Sequence, residues 1–496
     1  MNTSPSMSNT TPTSYATVPL PAGFPADVTL PKFVVELGER FADAGYELAL
    51  VGGPVRDMFL GSSVTDLDFT TDAVPETIQQ ILTGWAHAQW DIGAAFGTIG
   101  ARYGDWTVEI TTYRDEQYDP DSRKPEVVFG TELLEDLRRR DFTVNAMALR
   151  LPDFELVDPF GGIKALVAGV LSTPGTPQQS FSDDPLRMMR AARFAAQLGV
   201  TVSDDVAAAM TDMAQRIEII SAERVREELV KLMIADTPRR GLDLLVASGI
   251  ADFVLPELPA MRQASDDTHR HKDVYEHSLQ VMENAIEREA HYVEAPNFVL
   301  RFAALMHDIG KPKTRRFEPN GKVTFRHHDV VGAKLVAKRM RELRFDKGST
   351  KAVARLVELH MRFYGYGEGE WTDSAVRRYV TDAGDLVAHL HALTRSDVTT
   401  QNKRKARRLA TAYDDLESRI EQLAEEEELA AIRPDLDGKQ IMELLDIKPG
   451  PLVGRAYNYL LNLRLDEGPA DVEATKAALF AWWADQPEAQ QPDDDA

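Results

Sequence analysis

Residues 49 to 72 read "ALVGGPVRDMFLGSSVTDLDFTTD". An apolar run enters Gly52 and Gly53, an arginine follows at position 56, and Asp66 and Asp68 stand one residue apart. If "TDLDFTT" is a short strand, its side chains alternate, so Asp66 and Asp68 share one face while Leu67 and Phe69 turn to the core. Two carboxylates on one edge suit a hard divalent cation such as Mg²⁺. The glycines let backbone N–H groups approach a phosphate, and the helix they open presents its positive end. Arg56 adds a charge-assisted contact. The stretch therefore predicts a phosphate beside a metal. Taken singly, a glycine pair is usually a turn and a D-x-D a solvated strand edge, so the weight rests on the ordered set.

The flanks extend this reading. "PKFVVELGERFADA" (31–44) has helical apolar spacing with proline at its start, "YELALV" reads as a strand entering the glycines, and "WTVEITTYR" alternates as another strand. Glu109 on that strand offers a third carboxylate. A hydroxyl attacking a nucleoside triphosphate needs such a set, one metal acidifying the nucleophile and another neutralising the leaving pyrophosphate. The mixed region runs to about "DPFGGIKAL" (158–166), after which strand signals nearly vanish. "DDPLRMMRAARFAAQLG", "SAERVREELVKLMIA" and "PRRGLDLLVASG" read as helices, "LPELPAM" (255–261) as a junction, and 269–400 as a His-rich helical region. A basic helix, an acidic helix and a segment containing "LVGRAYNYLLNLRL" follow. The fold class expected is α+β: a small α/β head followed by an extended, almost all-helical body.

At 496 residues the chain is too long for one core, and 43% hydrophobic with 27% charged residues is an ordinary globular composition. There is no cysteine, so disulfides and thiolate sites are excluded and any metal must be held by His, Asp and Glu. No apolar run is long enough to span a bilayer. The first 29 residues, rich in Ser, Thr and Pro, read as a disordered leader, and a cytoplasmic location is the default. The net charge of −23 opposes nucleic-acid binding on average. Basic clusters such as "LRRRDF", "KRMRELRFDKGSTK" and "QNKRKARRL" nevertheless allow a local RNA-binding face, although a charge run is often a solvated helix surface.

"LVGGPVRDMFLG", "TDLDFTTDA", "VEITTYRDEQYDPDSRKPEVVFG", "LEDLRRRDFTVNAMA", "DPFGG", "DDPLRMMRAARFA" and "SAERVREEL" resemble, in order, the motifs of bacterial class II CCA-adding tRNA nucleotidyltransferases. These enzymes share a polymerase-β-type head with bacterial poly(A) polymerases. The resemblance implies a head over 30–168, a helical neck and RNA-binding body over 169–262, and a helical tail over 401–496 with an acidic, disordered end. It makes Asp66, Asp68 and Glu109 the catalytic carboxylates with Mg²⁺ as cofactor. It places Gly52, Gly53 and Arg56 at the triphosphate, and Arg139, Arg140, Asp141 and Asn145 at the ribose and phosphates. The segment from Arg114 to Arg138 matches the flexible loop associated with the terminal A. tRNA, CTP and ATP are the implied partners.

Asp184 and Arg187 of "DDPLR" match the element that selects the base, with Arg190 further along. Read as one helix, they are neighbours three residues apart. C and A both present an exocyclic amino donor beside an unprotonated ring nitrogen, so a carboxylate and a guanidinium can satisfy both, whereas G and U meet like groups. One departure stands out: the family pattern usually has Glu where this chain has Asp183.

A second set lies in 263–400: "HRHKDVYEHSLQVMENAI", "LRFAALMHDIGKPK", "RHHDVVGA" and "LTRSDV". Imidazoles and carboxylates converging in a helical bundle suit Mn, Ni, Co, Fe or Zn ions with positions open to water. The pattern resembles the HD phosphohydrolase domain and implies His277, His307, Asp308 and Asp397 as ligands. His328 and His360 are candidates for a second metal, and His327 is a weaker one. His389 and His391 read as helix residues. Two alternatives remain: a poly(A) polymerase with the same head, and an HD hydrolase whose head only senses nucleotide.

Overall fold

The computed structural model describes residues 15–18, 20, 24, 28–62, 67–93, 97–117, 126–262, 273–320, 323–363, 372–400, 402–427 and 432–487. The chain divides into two compact units, Met1–Val254 and Leu255–Ala496. The first is built on a seven-stranded sheet. Its strands are β1 (Leu48–Val51), β2 (Leu67–Thr71), β3 (Ala88–Gly93), β4 (Thr98–Tyr103), β5 (Trp106–Thr112), β6 (Ala148–Leu151) and β7 (Glu155–Val157), in the order β7-β6-β1-β2-β5-β4-β3. Only β2 and β5 run parallel; the other neighbours are antiparallel.

Strand β1 is buried on both faces, which is why "LALV" is a continuous apolar run. Leu48 and Leu50 join the large core with Phe69, Ile99, Val108, Ile110 and the helix Lys32–Asp43. Ala49 and Val51 join a smaller one with Tyr113, Leu133 and Leu137. Sequence patterning predicts β1, β2 and β5 and misses β3, β4, β6 and β7. These have weak signals: "TIGARY" contains glycine, and "ALRL" and "ELV" are short and held by pairing with their neighbours. Beyond residue 166 the described strands are two-residue pairs, Val170–Leu171 with Thr201–Val202 and Arg316–Phe317 with Val323–Thr324.

The predicted helix across "DDPLRMMRAARFAAQLG" is broken at its second residue. One helix, Pro177–Asp183, ends there and the next begins at Leu186, with Asp184 extended between them (φ −142°, ψ 100°). Pro185 is the cause, since its ring disfavours helical backbone in the residue before it. Asp184 and Arg187 therefore do not share a helix, and the three-residue neighbour argument is corrected.

In the second unit the helix Val274–Tyr292 packs on Phe298–Met306 and Val387–Ser396, and His328–Glu342 packs on Lys347–Leu359. Gly310 lets the chain just after Phe298–Met306 approach the start of His328–Glu342 closely. A Cβ there would overlap the carbonyl oxygen of His328 and lie 2.8 Å from Gly332 N. The tail helices Gly438–Leu445, Pro451–Glu467 and Val472–Ala484 enclose their own apolar cluster around Ile441, Leu460 and Leu479. No described helix is long and apolar enough to cross a membrane.

Candidate active site and metal centre

In the first unit, Asp68 stands directly opposite Glu109 across the parallel pair β2–β5. Both are exposed, while Leu67, Phe69, Val108 and Ile110 on either side are buried, as alternation requires. Gly100 is the residue opposite Glu109 on β4, so no side chain crowds that carboxylate from this strand. Asp66 lies outside the described residues, as do 118–125 of the expected loop. Arg114, at the loop's start, donates to Thr98 Oγ1 at 2.9 Å.

The glycine pair sits where β1 ends and the helix Gly53–Phe59 starts. Gly52 has φ +75°, a conformation costly for any residue with a Cβ, and a Cβ there would lie 3.1 Å from the Arg140 guanidinium. Arg56 donates to Asn145 Oδ1 at 2.7 Å and to Asp57 at 2.8 Å. Asn145 in turn donates to Asp141 Oδ1 at 3.0 Å, and Arg190 grips Asp141 Oδ2 at 2.6 and 2.8 Å. One chain of hydrogen bonds thus links the glycine turn to the helix Leu186–Leu198. Burial pushes the Asp141 carboxyl up, but Arg190 and Asn145 outweigh it and hold the group below the usual carboxylate range. The same contest ends the same way at Asp136, buried under Arg140 and Arg139.

Arg187 is buried and engaged: it donates to the Arg139 carbonyl at 2.6 Å and to Ser180 Oγ at 3.0 Å. Asp184 caps Leu186 N at 3.1 Å and takes the Arg224 guanidinium at 2.8 Å. Asp183 accepts from Gln179 at 2.6 Å. Sequence reasoning did not single out Asp136, Arg224, Glu228 or Phe194. Glu228 binds Arg193 at 2.6 Å and reaches Arg190 at 3.6 Å, and Phe194 underlies Arg56, Arg190 and Arg193. A signal existed for Asp136 alone, whose partners lie three and four residues on in "EDLRRR".

In the second unit His277, His307 and Asp308 form one group of converging ligand atoms, and Asp308, His328 and His360 form another. Asp308 belongs to both. His277 Nε2 lies 2.9 Å from Asp397 Oδ1 and 3.7 Å from Asp308 Oδ2; His307 Nε2 is 3.2 Å and 3.7 Å from Asp308 and Asp397. His328 Nε2 is 3.3 Å and His360 Nε2 3.9 Å from Asp308 Oδ1. All six residues predicted for this centre are brought together. His327 is the exposed residue preceding helix His328–Glu342 and is not among them. His389 and His391 lie on the helix Val387–Ser396, as expected.

The helices themselves orient the ligands. His307, His360 and Asp397 are the C-cap residues of Phe298–Met306, Lys347–Leu359 and Val387–Ser396. Three negative helix ends therefore meet at the cluster, which favours a cation. His307 and His360 each donate Nδ1–H to a carbonyl of the preceding turn, Ala304 at 2.8 Å and Val357 at 2.6 Å, and His328 does the same to Phe325 at 2.8 Å. The Ala304 and Val357 bonds satisfy helix-end carbonyls, and all three bonds leave the Nε2 atoms facing inward.

The donor set fits a metal. His307 Nε2 is buried and makes no hydrogen bond. His328 and His360 bring Nε2 atoms to 3.2 Å, which in neutral rings sets two lone pairs against each other unless a cation lies beside them. Burial and the nearby His307 hold His360 down to about 4. Asp308, although burial opposes it, is held far below the ordinary range by His307 and Lys311. Lys311, unnoticed in the sequence, sits 2.5 Å from Asp308 Oδ2. The cluster floors a cleft of about 370 Å³ that Thr399 and Lys405 also line.

A nucleotidyltransferase head followed by an HD-type centre is the class that this fold and these sites define. The Poly A polymerase head domain model matches residues 48–172, the model for the probable RNA and SrmB-binding site of polymerase A matches 199–261, and the HD domain model matches 274–424. The A-adding tRNA nucleotidyltransferase of Deinococcus radiodurans is 32% identical over 447 residues, covering 88% of this chain and 96% of its own. A CCA-adding enzyme of Leuconostoc mesenteroides is 38% identical over 216 residues, 43% of this chain and only 53% of its own. The solved Bacillus stearothermophilus CCA-adding enzyme in complex with CTP shares the fold, with a TM-score of 0.62 at 22% identity over 91% of this chain and 98% of that one. The chain belongs to the tRNA nucleotidyltransferase family with a poly(A) polymerase head. Members of this family use divalent metal.

Proposed function

We propose that the protein adds C, C and A, without a template, to the 3′ end of tRNA from CTP and ATP, releasing pyrophosphate. The observation that carries this is the register of Asp68 against Glu109 on an exposed sheet face, in the same unit as a glycine turn tied by hydrogen bonds to the Leu186–Leu198 helix. Asp66, Asp68 and Glu109 would hold Mg²⁺, which when bound supplies charge neutralisation for the triphosphate and a more acidic 3′-hydroxyl. Gly52 and Gly53 leave backbone room for the triphosphate, and Arg56, Arg139 and Arg140 oppose its charge. Asp141, Asn145 and Arg190 hold these groups in place. Base choice by Asp184 and Arg187 requires Asp184 to part from Arg224 and Arg187 from the Arg139 carbonyl, so selection includes a rearrangement. tRNA is held along basic helix faces by backbone and shape, and the enzyme works in the cytoplasm.

A second reading, addition of the terminal A alone, is favoured by the name of the relative that matches along nearly its full length. The deciding assay supplies labelled CTP and ATP to tRNA transcripts ending before CCA, at C and at CC, and to an unrelated RNA. Addition of C, C and A followed by a stop, on tRNA only, is the expected result. Incorporation of a single A on the CC transcript alone would transfer the protein to the second reading. Long A tails on either RNA would make it a poly(A) polymerase.

For the second unit we propose a phosphohydrolase centre. His277, His307, Asp308 and Asp397 hold one transition-metal ion (Mn, Ni, Co, Fe or Zn), and His328 and His360, with Asp308 shared, hold a second. Metal analysis of protein purified without chelator, with and without His307→Ala, tests it.

A further inference from the structure

The row of residues that holds the head carboxylates continues across the sheet. Asp68 on β2 stands opposite Glu109 on β5, Glu109 opposite Gly100 on β4, and Gly100 opposite Trp90 on the outer strand β3. Residues directly opposite one another share a face, so Trp90 is on the face of Asp68 and Glu109, with only a glycine between. Trp90 is 37% exposed and has no ring contact among the described residues. Trp85 and Trp106, by contrast, pack on Phe33 in the large core. Arg102, two residues along β4 from Gly100, shares the face of Trp90. It is exposed, and no carboxylate among the described residues lies within ion-pair distance of it. A lone exposed apolar side chain is ordinary on a protein surface; its place in this row is what gives Trp90 a meaning.

The sheet order supplies a direction. The glycine turn ends β1, on one side of β2, whereas Trp90 and Arg102 belong to strands on the other side. In-line displacement sets the attacking oxygen opposite the leaving one. With the triphosphate at Gly52 and Gly53, pyrophosphate leaves toward β1, and the 3′-hydroxyl that attacks the α-phosphorus comes over β5, β4 and β3. An RNA end extended without a template is unpaired there, and unpaired bases are held by stacking on aromatic rings.

We propose that Trp90 is the platform on which a base of the acceptor strand stacks, behind the reacting 3′-hydroxyl, with Arg102 on a phosphate of the same strand. This rests on the nucleotidyl-transfer reading above. Two strand spacings put Trp90 about 10 Å from Glu109, which a single strand covers in two or three nucleotides at about 3.4 Å or more for each. Stacking is tolerant of sequence, which suits an end whose last bases change with every addition.

The test uses the full chain, ATP and an acceptor-stem minihelix ending in CC, so that contacts to the rest of a tRNA do not mask the effect. Trp90→Ala should raise KM for the minihelix about tenfold and leave KM for ATP unchanged. Trp90→Phe, which keeps a ring, should restore most of the loss, and Trp90→Leu should not. Arg102→Ala should flatten the dependence of log KM on log salt by about 0.7, one single-strand phosphate contact. In chelated protein, a photoreactive pyrimidine at each of the last three positions in turn should cross-link to the peptide spanning 88–102 from at least one of them, and the cross-link should vanish in Trp90→Ala. An unchanged KM for the minihelix, equal effects of Phe and Leu, or a matching rise in KM for ATP would overturn the proposal. So would a change of oligomeric state in Trp90→Ala with RNA binding intact, which would give the face to a second copy. If the wild type adds nucleotide to no RNA, the nucleotidyl-transfer reading fails, and the cross-link alone then sustains or overturns the platform.

Discussion

The head and the HD centre hold their acidic groups in opposite ways. In the head, Asp68 and Glu109 stand exposed on a sheet face, while Asp141 and Asn145 are buried and bonded to each other and to Arg190 and Arg56. In the HD centre the ligands themselves are buried: His307, Asp308 and His360 are each 1% exposed. Exposed carboxylates bind a cation whose remaining positions go to water and substrate phosphates, as Mg²⁺ prefers. Buried imidazoles offer the donor type that a softer ion prefers.

The largest effect expected from this contrast is at Asp68. Asp68→Ala should lower nucleotide addition by at least about a thousandfold while ester hydrolysis by the HD centre persists; parallel loss of both activities would show that the two sites are not independent. His307→Ala should do the converse, with metal affinity falling by about a hundredfold or more in equilibrium dialysis and nucleotide addition retained. A chelator wash should likewise strip the head before the HD centre.

Asp141→Ala takes from the half-buried Arg190 its main partner, leaving Glu228 at 3.6 Å, and should cost about 2–3 kcal/mol in denaturant unfolding of the head. A cost under about 1 kcal/mol would mean the network does not brace the head. The two units should also part on acidification. His391, stacked on Tyr379, is held by burial down to about 4, below its ordinary value. From about pH 6.5 to 4 its unfolded form alone binds the proton, so the second unit loses stability there, on the order of 3 kcal/mol. Asp141 and Asp136 are depressed, so their contribution is present above the ordinary carboxylate range and is lost only as pH falls below it. Unfolding of the second unit should begin at the higher pH, and His391→Phe should shrink that early phase and leave the part that His360, also held down to about 4, contributes. Smallest is Gly310→Ala, expected to cost about 1–3 kcal/mol by displacing His328 and to weaken metal binding through His328 and His360 before it affects His277.

The HD centre was the more legible of the two in the sequence. The six residues it brings together are types that a cysteine-free metal site must use, and each stands at or near a helix end that apolar periodicity marks. Lys311 escaped notice because a lysine beside a ligand motif looks like any solvated lysine. In the head the strand "LDFTT" and the glycine turn were equally legible, as was Glu109 as a third carboxylate, whereas four of seven strands were not.

What the sequence alone determined is therefore local. Alternation put Leu67 and Phe69 in the core and turned Asp68 outward; "LVGGP" made a turn only glycine tolerates; the helical periods set out the second unit. Tertiary structure decided what depends on partners far along the chain: the Asp68–Glu109 register, the Asp141–Arg190 grip across 49 residues and the meeting of His277 with Asp397. It also decided that Asp184 faces Arg224 rather than Arg187. Proline stiffness broke the helix between them, and a charged group buried by packing takes whichever opposite charge the fold brings within reach.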